Sequence, residues 1–167
     1  MKTGHKSTFK ERENSIDIAD VKFQEYAKSS NKITYCKRYG FDERGRDIGK
    51  ENFFAIPKFL RASPDFFIIS NGKPYFVEVK GCRDVLRIKK RDMFSYAGWD
   101  GLLAKTSLFF FIYSTKLSKE VVISYDKLVS LIENNDYEIG TYSDNNEKFY
   151  KILLGDLYNV KKEKKKT

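Results

Sequence analysis

The sequence predicts a single domain with a mixed α/β fold. Three observations support this prediction: an amphipathic segment at 15–29, two β-prone runs joined by a tight turn at 64–81, and an apolar run at 107–114. Apolar residues recur at helical spacing in the first segment, and the last is typical of a strand buried on both faces. The predicted order is helix, three strands, helix, strand and C-terminal additions.

The first third of the chain predicts a helix, a strand and a loop. The helix is expected over 15–29, where Ile16, Ala19 and Phe23 lie on one apolar face, and a longer helix starting near Thr8 is the alternative. Residues 33–41 are expected to form the first strand. Residues 42–52 are charged and contain two glycines, which indicates a loop, and the apolar segment 53–60 is expected to be a strand or a turn.

The dipeptide Asn71-Gly72 predicts a two-residue β-hairpin, because a type I′ turn needs positive φ at both central residues. Counting outward from this turn places Asp65 opposite Glu78. Directly opposed residues share a face of the sheet, with Cβ atoms roughly 5 Å apart. Lys80 lies two residues beyond Glu78 and points to the same face. Pro74 fits this hairpin if the other side of its strand is unpaired there.

Two opposed carboxylates repel each other, and a hairpin with only a structural role gains no stability from them. A divalent cation removes the repulsion, since Asp65 and Glu78 offer the hard oxygen ligands that Mg²⁺ takes while it keeps waters for a phosphate to displace. Lys80 is suited to orient a water and to offset charge that develops on phosphate. The pattern predicts Asp65, Glu78 and Lys80 as catalytic residues. The alternative is a hairpin with three surface charges at its open end.

The second half of the chain predicts alternating helices and strands. A helix is expected over 84–99, with Val85, Ile88, Asp92 and Tyr96 on one stripe, and Tyr96 or Lys89 is placed to reach a substrate. A strand is expected at 120–125 and a short helix at 127–133, capped by the preceding aspartate. Two late strands, 137–142 and 148–154, are expected around a turn at 143–146.

Composition excludes several kinds of site. The only histidine, His5, lies in a polar N-terminal segment, which argues against imidazole-dependent nucleases, Ser/His or Cys/His triads and zinc hydrolases. Two cysteines indicate no disulfide framework and favour a reducing cytoplasm. No apolar run approaches the length of a membrane span, and the N-terminus does not resemble a secretory signal.

The net charge of +9 is concentrated in the two ends of the chain and in one internal cluster. Residues 1–8 and 159–167 are expected to be basic tails around a single domain at 9–158, and the C-terminal tail is expected to be disordered. The internal cluster directly follows the predicted site and is expected to contact a nucleic-acid backbone. Its basic members are Lys80, Arg83, Arg87, Lys89, Lys90 and Arg91.

Pro64-Asp65, followed after twelve residues by Glu78-Val79-Lys80, resembles the signature of the PD-(D/E)XK nuclease superfamily. This resemblance implies a restriction-endonuclease-like fold, with a mixed β-sheet flanked by helices and an α-β-β-β-α-β core. It also implies phosphodiester hydrolysis with Mg²⁺, with Mn²⁺ as a substitute, leaving a 5′-phosphate. The implied metal ligands are Asp65, Glu78, the Val79 carbonyl and an acidic residue of the first helix. We choose Glu25 for the last role, with Asp20, Glu11 and Glu13 as alternatives.

The segment 86–93, which contains Lys90-Arg91-Asp92-Met93, resembles the helix that follows the Glu-x-Lys strand in archaeal Holliday-junction resolvases. Arg61-Ala62-Ser63 is similar to their basic, serine-containing approach to the metal aspartate, so Arg61 and Ser63 are expected to contact DNA. The implied function is a structure-selective DNA endonuclease acting as a homodimer. An exonuclease, a site-specific endonuclease, a non-catalytic nucleic-acid-binding module and a small structural protein are the alternatives. A cytoplasmic or nucleoid location is expected, and the composition also suits a viral, AT-rich genome.

Overall fold

The computed structural model describes residues 9–41, 48–103, 107–143 and 145–163. The predicted N-terminal tail and most of the predicted loop at 42–52 lie outside these residues. The described helices are α1 (Phe9–Ser29), α2 (Lys50–Ala55), α3 (Lys58–Arg61), α4 (Lys90–Leu103), α5 (Tyr125–Asn134) and α6 (Leu154–Glu163). The described strands are β1 (Ile33–Arg38), β2 (Phe66–Ser70), β3 (Lys73–Cys82), β4 (Val85–Lys89), β5 (Leu108–Ser114), β6 (Lys119–Ser124), β7 (Ile139–Thr141) and β8 (Lys148–Leu153).

The strands of the described residues form two sheets, which confirms the mixed α/β fold. The larger sheet has the order β1-β2-β3-β5-β6, and the smaller has the order β4-β8-β7. Strands β3 and β5 pair in parallel, while the other pairs are antiparallel. Helices α1 and α4 contribute to separate apolar clusters on the two sides of the larger sheet. Within the described residues, no helix is both long and apolar enough to cross a membrane.

The hairpin of β2 and β3 has the predicted register. Ser70 pairs with Lys73 and Phe66 pairs with Val77, which places Asp65 next in line opposite Glu78. The turn residues Asn71 and Gly72 have φ values of 50° and 74°, as a type I′ turn requires. Among the described residues, the pairing of β3 with β5 begins at Phe76, and none of their strands pairs with the outer side of Pro74, in line with the prediction.

Helix α1 is seated on β3 by a close backbone contact. It is longer than the 15–29 segment, in line with the alternative of an earlier start. Ala19, Phe23 and Ala27 are buried on the face that meets the sheet. A Cβ atom at Gly81 would lie only 1.9 Å from the Ser15 carbonyl oxygen, so the helix can approach β3 this closely only over a glycine. This contact fixes which residues of α1 lie near the open end of the hairpin.

The predicted helix over 84–99 is wrong in its first part, where the chain forms β4 and the helix begins only at Lys90. Leu86 and Ile88 are each 1% exposed, and this alternation is typical of a half-buried strand. The helical stripe matched the sequence because Val85, Ile88 and Asp92 also recur at helical spacing. The segment forms a strand because β8 lies beside it and pairs with its backbone.

Four further predictions need correction. The segment 53–60 forms the end of α2 and most of α3 rather than a strand or a turn, because Phe53 alone is buried there and Pro57 stands at the N-cap of α3. Residues 50–52 of the predicted loop also belong to α2. Helix α5 begins at Tyr125 with Ser124 as its N-cap, so the aspartate lies inside its first turn. Helix α6 runs beyond residue 158, since Leu154 and Leu157 anchor its start in the core. The strands predicted at 107–114, 120–125, 137–142 and 148–154 are confirmed within a few residues.

Candidate active site

The open end of the hairpin brings Asp65, Glu78 and Lys80 together. Glu78 is buried, with 8% of its surface exposed, and its Oε1 accepts a hydrogen bond from Lys80 Nζ at 2.6 Å. Asp65 turns back towards β3, where its Oδ2 accepts a hydrogen bond from the Val79 amide at 2.7 Å. The carboxylates therefore have different partners and different environments, although they stand opposite each other.

A fourth residue, Tyr96 of α4, completes this group of side chains. Its hydroxyl donates to the same Glu78 oxygen, Oε1, at 2.9 Å, and its ring centroid lies 5.8 Å from Lys80 Nζ. Sequence reasoning placed Tyr96 on the inward stripe of the helix as a substrate contact, but did not connect it with Glu78. That connection depends on how α4 packs against β3, which local periodicity does not report.

The Val79 carbonyl points towards the site, and Pro64 leaves it without its usual hydrogen-bond donor. In an antiparallel pair, the N–H and C=O of one residue point towards the same partner strand. Val79 donates its N–H towards the Asp65 side of β3, so its carbonyl points that way too. The residue opposite Val79 in the continued register is Pro64, which has no N–H and cannot donate to this carbonyl. The Pro-Asp pair thus leaves the oxygen free of its usual ladder partner.

Burial and the neighbouring charges together shift the pKa values of the site residues. Burial raises the pKa of Asp65 well above its usual range, and the nearby charge of Glu78 raises it further, while Lys80 and the Val79 amide act in the opposite direction. Burial lowers the pKa of Lys80, but the charges of Glu78, Tyr96 and Asp65 outweigh it, so the pKa of Lys80 is raised well above its usual range. Burial and then Glu78 raise the pKa of Tyr96, which stays a hydroxyl donor.

The free carboxylate oxygens are suited to a small hard cation. Among the described residues, Asp65 Oδ1 and Glu78 Oε2 have no hydrogen-bond donor, and neither is a buried unsatisfied atom. Within the residues that the structure describes, no cluster of three or more Asp, Glu, His or Cys residues is arranged to hold a metal. The donors thus fit an ion that takes one or two carboxylates and keeps several waters, as Mg²⁺ does.

Of the four acidic candidates of α1, Asp20 and Glu25 occupy different positions, whereas the side chains of Glu11 and Glu13 lie outside the described residues. Glu25 has a side chain that is 59% exposed and pairs with Lys22 at 2.7 Å. Asp20 has a side chain that is 20% exposed, pairs with Arg38, and lies near enough to Asp65 to raise the pKa of that carboxyl. The contact of α1 with Gly81 sets this helical phase. The structure therefore favours Asp20 over Glu25 as the α1 neighbour of the site, while metal ligation by either stays a prediction.

Arg61 and Ser63, predicted to contact DNA, make contacts within their own segment. The Arg61 guanidinium lies 5.6 Å from the ring centroid of Phe53 and 5.5 Å from that of Phe54. The Ser63 hydroxyl donates to the Leu60 carbonyl at the end of α3. These contacts fix the approach to Asp65, and a role in DNA binding stays a prediction for both residues.

The predicted basic helix does not exist as one surface, because β4 and α4 divide its residues. Arg83 lies in the turn before β4, with its Nε 3.6 Å from the Asp84 carboxylate. Lys90 begins α4, and its Nζ lies 5.4 Å from the ring centroid of Tyr150. Arg87 and Lys89 belong to β4 in the smaller sheet, and Arg91 lies in the first turn of α4, where it pairs with Glu147.

No protein-family model and no curated protein matches the chain. Among solved structures, the chain is similar to a nuclease from a fusselovirus, with 14% sequence identity and a TM-score of 0.46 over 90% of this chain and 94% of that chain.

The substitution Asp65→Asn is expected to raise the free energy of unfolding at neutral pH without divalent metal. The amide oxygen still accepts the Val79 N–H, but the charge that faces Glu78 is gone. A carboxyl with a raised folded-state pKa stabilises the protein fully below its unfolded pKa of about 3.9 and loses this contribution as pH rises through the folded-state pKa. The advantage of the variant should therefore grow from acidic to neutral pH in urea titrations with EDTA.

The same substitution at the exposed Asp136 provides the control, and it should leave the free energy of unfolding at neutral pH close to that of the wild type. If Asp65→Asn is instead less stable than the wild type at neutral pH, ionised Asp65 stabilises the fold, and the interpretation of its raised pKa is wrong.

Proposed function

We propose that the protein is a Mg²⁺-dependent DNA endonuclease that hydrolyses phosphodiester bonds. The observation that supports this most is the pair of opposed carboxylates, Asp65 and Glu78, in a poorly solvated place with Lys80 bound to one of them. Repulsion makes this arrangement costly for the fold alone, and a divalent cation turns it into a binding site.

In the proposed reaction, Asp65 Oδ1, Glu78 Oε2 and the Val79 carbonyl would hold the metal. A bound Mg²⁺ would supply Lewis-acid polarisation of the phosphoryl oxygen and a more acidic water. Lys80, protonated because its pKa is raised, orients the attacking water and stabilises negative charge on the phosphorane-like transition state. As the new P–O bond forms, the attacking water gives its proton to solvent and the P–O3′ bond breaks. The departing 3′ oxygen takes a proton from solvent, and the phosphate stays on the 5′ side.

Tyr96 acts in this scheme as a positioning residue. It shares Glu78 Oε1 with Lys80, so the carboxylate is held by two donors on one oxygen and offers the other oxygen to the metal. Groups that orient a metal ligand in this way tune affinity and activity without touching the metal.

Junction selectivity and a homodimer are finer proposals, which rest on the resemblance of 61–63 and 86–93 to junction resolvases.

Cleavage of four DNA substrates tests the activity: linear duplex, single strand, flap and four-way junction. We expect cutting with Mg²⁺ or Mn²⁺, no cutting with EDTA, and loss of at least about 1,000-fold in Glu78→Ala, because that variant loses a metal ligand and the partner of Lys80. Glu120→Ala, which removes an exposed carboxylate on β6, is the matched control and should cut normally.

A wild-type protein that binds these substrates but cuts none of them with either metal would contradict the proposal and favour a non-catalytic binding module. Preferential cutting of the four-way junction would support junction selectivity. Equal cutting of all duplex substrates would exclude it.

The substitution Tyr96→Phe should weaken Mg²⁺ binding by about 10- to 100-fold, because Glu78 loses one of the two donors that orient it. Trp99, the only tryptophan, lies three residues further along α4 and gives a fluorescence signal for metal titration without DNA. Saturating Mg²⁺ should restore much of the cleavage rate. In the control variant Tyr125→Phe, the hydroxyl that donates to the Met93 carbonyl of α4 is lost. This variant should keep the Mg²⁺ affinity and the cleavage rate of the wild type. Equal metal affinities for Tyr96→Phe and the wild type would show that Tyr96 is only structural.

Substitutions on α1 distinguish Asp20 from Glu25 as the acidic residue of this helix that acts at the site. Asp20→Asn is expected to lower the cleavage rate at limiting Mg²⁺ by about tenfold or more, because its charge lies next to Asp65. Glu25→Gln should retain wild-type activity, since its side chain is exposed and paired with Lys22. Urea titrations of both variants separate this effect from the loss of the Asp20–Arg38 pair. The reverse order of activities would assign the role to Glu25, as the sequence predicted.

A further inference from the structure

The exposed side of helix α4 is apolar over more than two turns. Phe94 is 89% exposed and Leu102 is 56% exposed, whereas Tyr96 and Trp99 point into the core. A helix at the surface of a globular protein normally presents polar side chains to water, so a face of this kind is expected to be covered. We call its exposed residues the α4 face: Phe94, Ala97, Gly98, Gly101 and Leu102.

Two glycines inside α4 lower the stability of the helix, since each costs about 1 kcal/mol relative to alanine. Gly98 is explained by a contact within the fold, because a Cβ atom there would lie 3.2 Å from the Phe59 ring, which stacks on Trp99. At Gly101, a Cβ atom would meet no atom of the described residues within 4 Å. The packing of the described residues therefore accounts neither for Gly101 nor for the exposed ring of Phe94.

Phe94 and Gly101 explain each other if two copies of α4 pack antiparallel. They are seven residues apart, so they lie within about 20° of each other around the helix and about 10.5 Å apart along its axis. A two-fold axis between positions 97 and 98 places Phe94 of each copy over the partner's Gly101. Glycine permits this close approach of a ring to a helix backbone. The α4 face thus carries both a projection and the recess that receives it, and it is complementary to itself.

Helix α3 widens the apolar surface beside the α4 face. Phe59, which lies next to Gly98, is 46% exposed, and the neighbouring Leu60 is 44% exposed. Phe94 and Phe59 alone expose roughly 270 Å². A stable interface buries about 800 Å² on each partner, so these two rings supply about a third of that area. Leu60, Leu102 and the helix backbone extend the same surface, and a few aromatic anchors are expected to dominate the affinity.

We infer that two copies of the protein associate through the α4 face, with Phe94 of each copy packed over the partner's Gly101. The homodimer proposed above has no assigned surface, and the α4 face assigns one without using the carboxylates or a nucleic acid. Tyr96 leaves α4 about 200° away from Phe94, so the interface leaves its hydrogen bond to Glu78 undisturbed. A DNA base stacked on Phe94 is the other occupant that an exposed ring suits, but it leaves Gly101 without a role.

Sedimentation equilibrium in EDTA, without DNA, measures the dimer directly. Phe94→Ala should weaken dimerisation at least about 100-fold, because each dimer loses two aromatic anchors. Gly101→Phe should do the same, since its ring would meet the partner's Phe94 although no described residue of its own chain opposes it. The matched controls are Leu153→Ala, at a side chain that is 56% exposed on β8, and Gly155→Phe, at a glycine of α6 with similar open space. Both controls should dimerise like the wild type.

The double variant Phe94→Ala with Gly101→Phe exchanges the projection and the recess. Because the two-fold axis pairs position 94 with position 101, the exchanged faces are complementary again, and dimerisation should return to within about tenfold of the wild type. Damage to the fold or to the surface in general predicts instead that the double variant is worse than either single variant. Urea titrations of all variants verify that their monomers are folded.

Rescue of the dimer by the double variant would support the α4 face as the interface whether or not the wild type cuts DNA. A dimer that neither single variant weakens would exclude this face, even if cleavage depends on Glu78 as proposed. A wild type that stays monomeric at its highest soluble concentration would overturn the dimer. If Phe94→Ala weakened DNA binding by such a monomer, the exposed ring would serve to stack on a base instead.

Discussion

The site depends on one constraint: a tight hairpin holds two carboxylates opposite each other where water cannot screen them well. The Asn71-Gly72 turn fixes the register, and the register leaves Asp65 no position away from Glu78. The surroundings accommodate the repulsion rather than remove it. The Val79 amide binds one carboxylate, and Lys80 and Tyr96 bind the other. The metal ion of the proposed function would remove this cost.

The hairpin was predictable from the sequence because its signals are local. A two-residue turn, two β-prone runs and a parity rule are enough to place Asp65, Glu78 and Lys80 together. Strand β4 was not predictable in this way, because its partner β8 lies 64 residues further along the chain at Arg87 and Lys151. Its residues also match a helical stripe, and only the distant strand decides between the two periods.

The positions of Asp20 and Tyr96 show a second limit of sequence reasoning. Periodicity shows which face of a helix is apolar, but it does not fix the rotation and shift of that helix against the sheet. For α1, the shift is set by the contact between Ser15 and Gly81, which favours Asp20 over Glu25 near Asp65. For α4, the packing against β3 brings the Tyr96 hydroxyl to Glu78. The two helices approach the site from opposite sides of the larger sheet.

The pairing of β4 with β8 also has a consequence for the order of folding. Strand β4 leads directly into helix α4, which carries Tyr96. Because β8 pairs with β4, it also helps to position the start of α4. Strand β8 is synthesised well after β4, and long-range pairing forms slowly because loop closure comes before its contacts. A growing chain therefore carries the hairpin and its carboxylates before the Tyr96 side chain is in place beside them. The arrangement around Glu78 is then a property of the folded sheets and not of the motif alone.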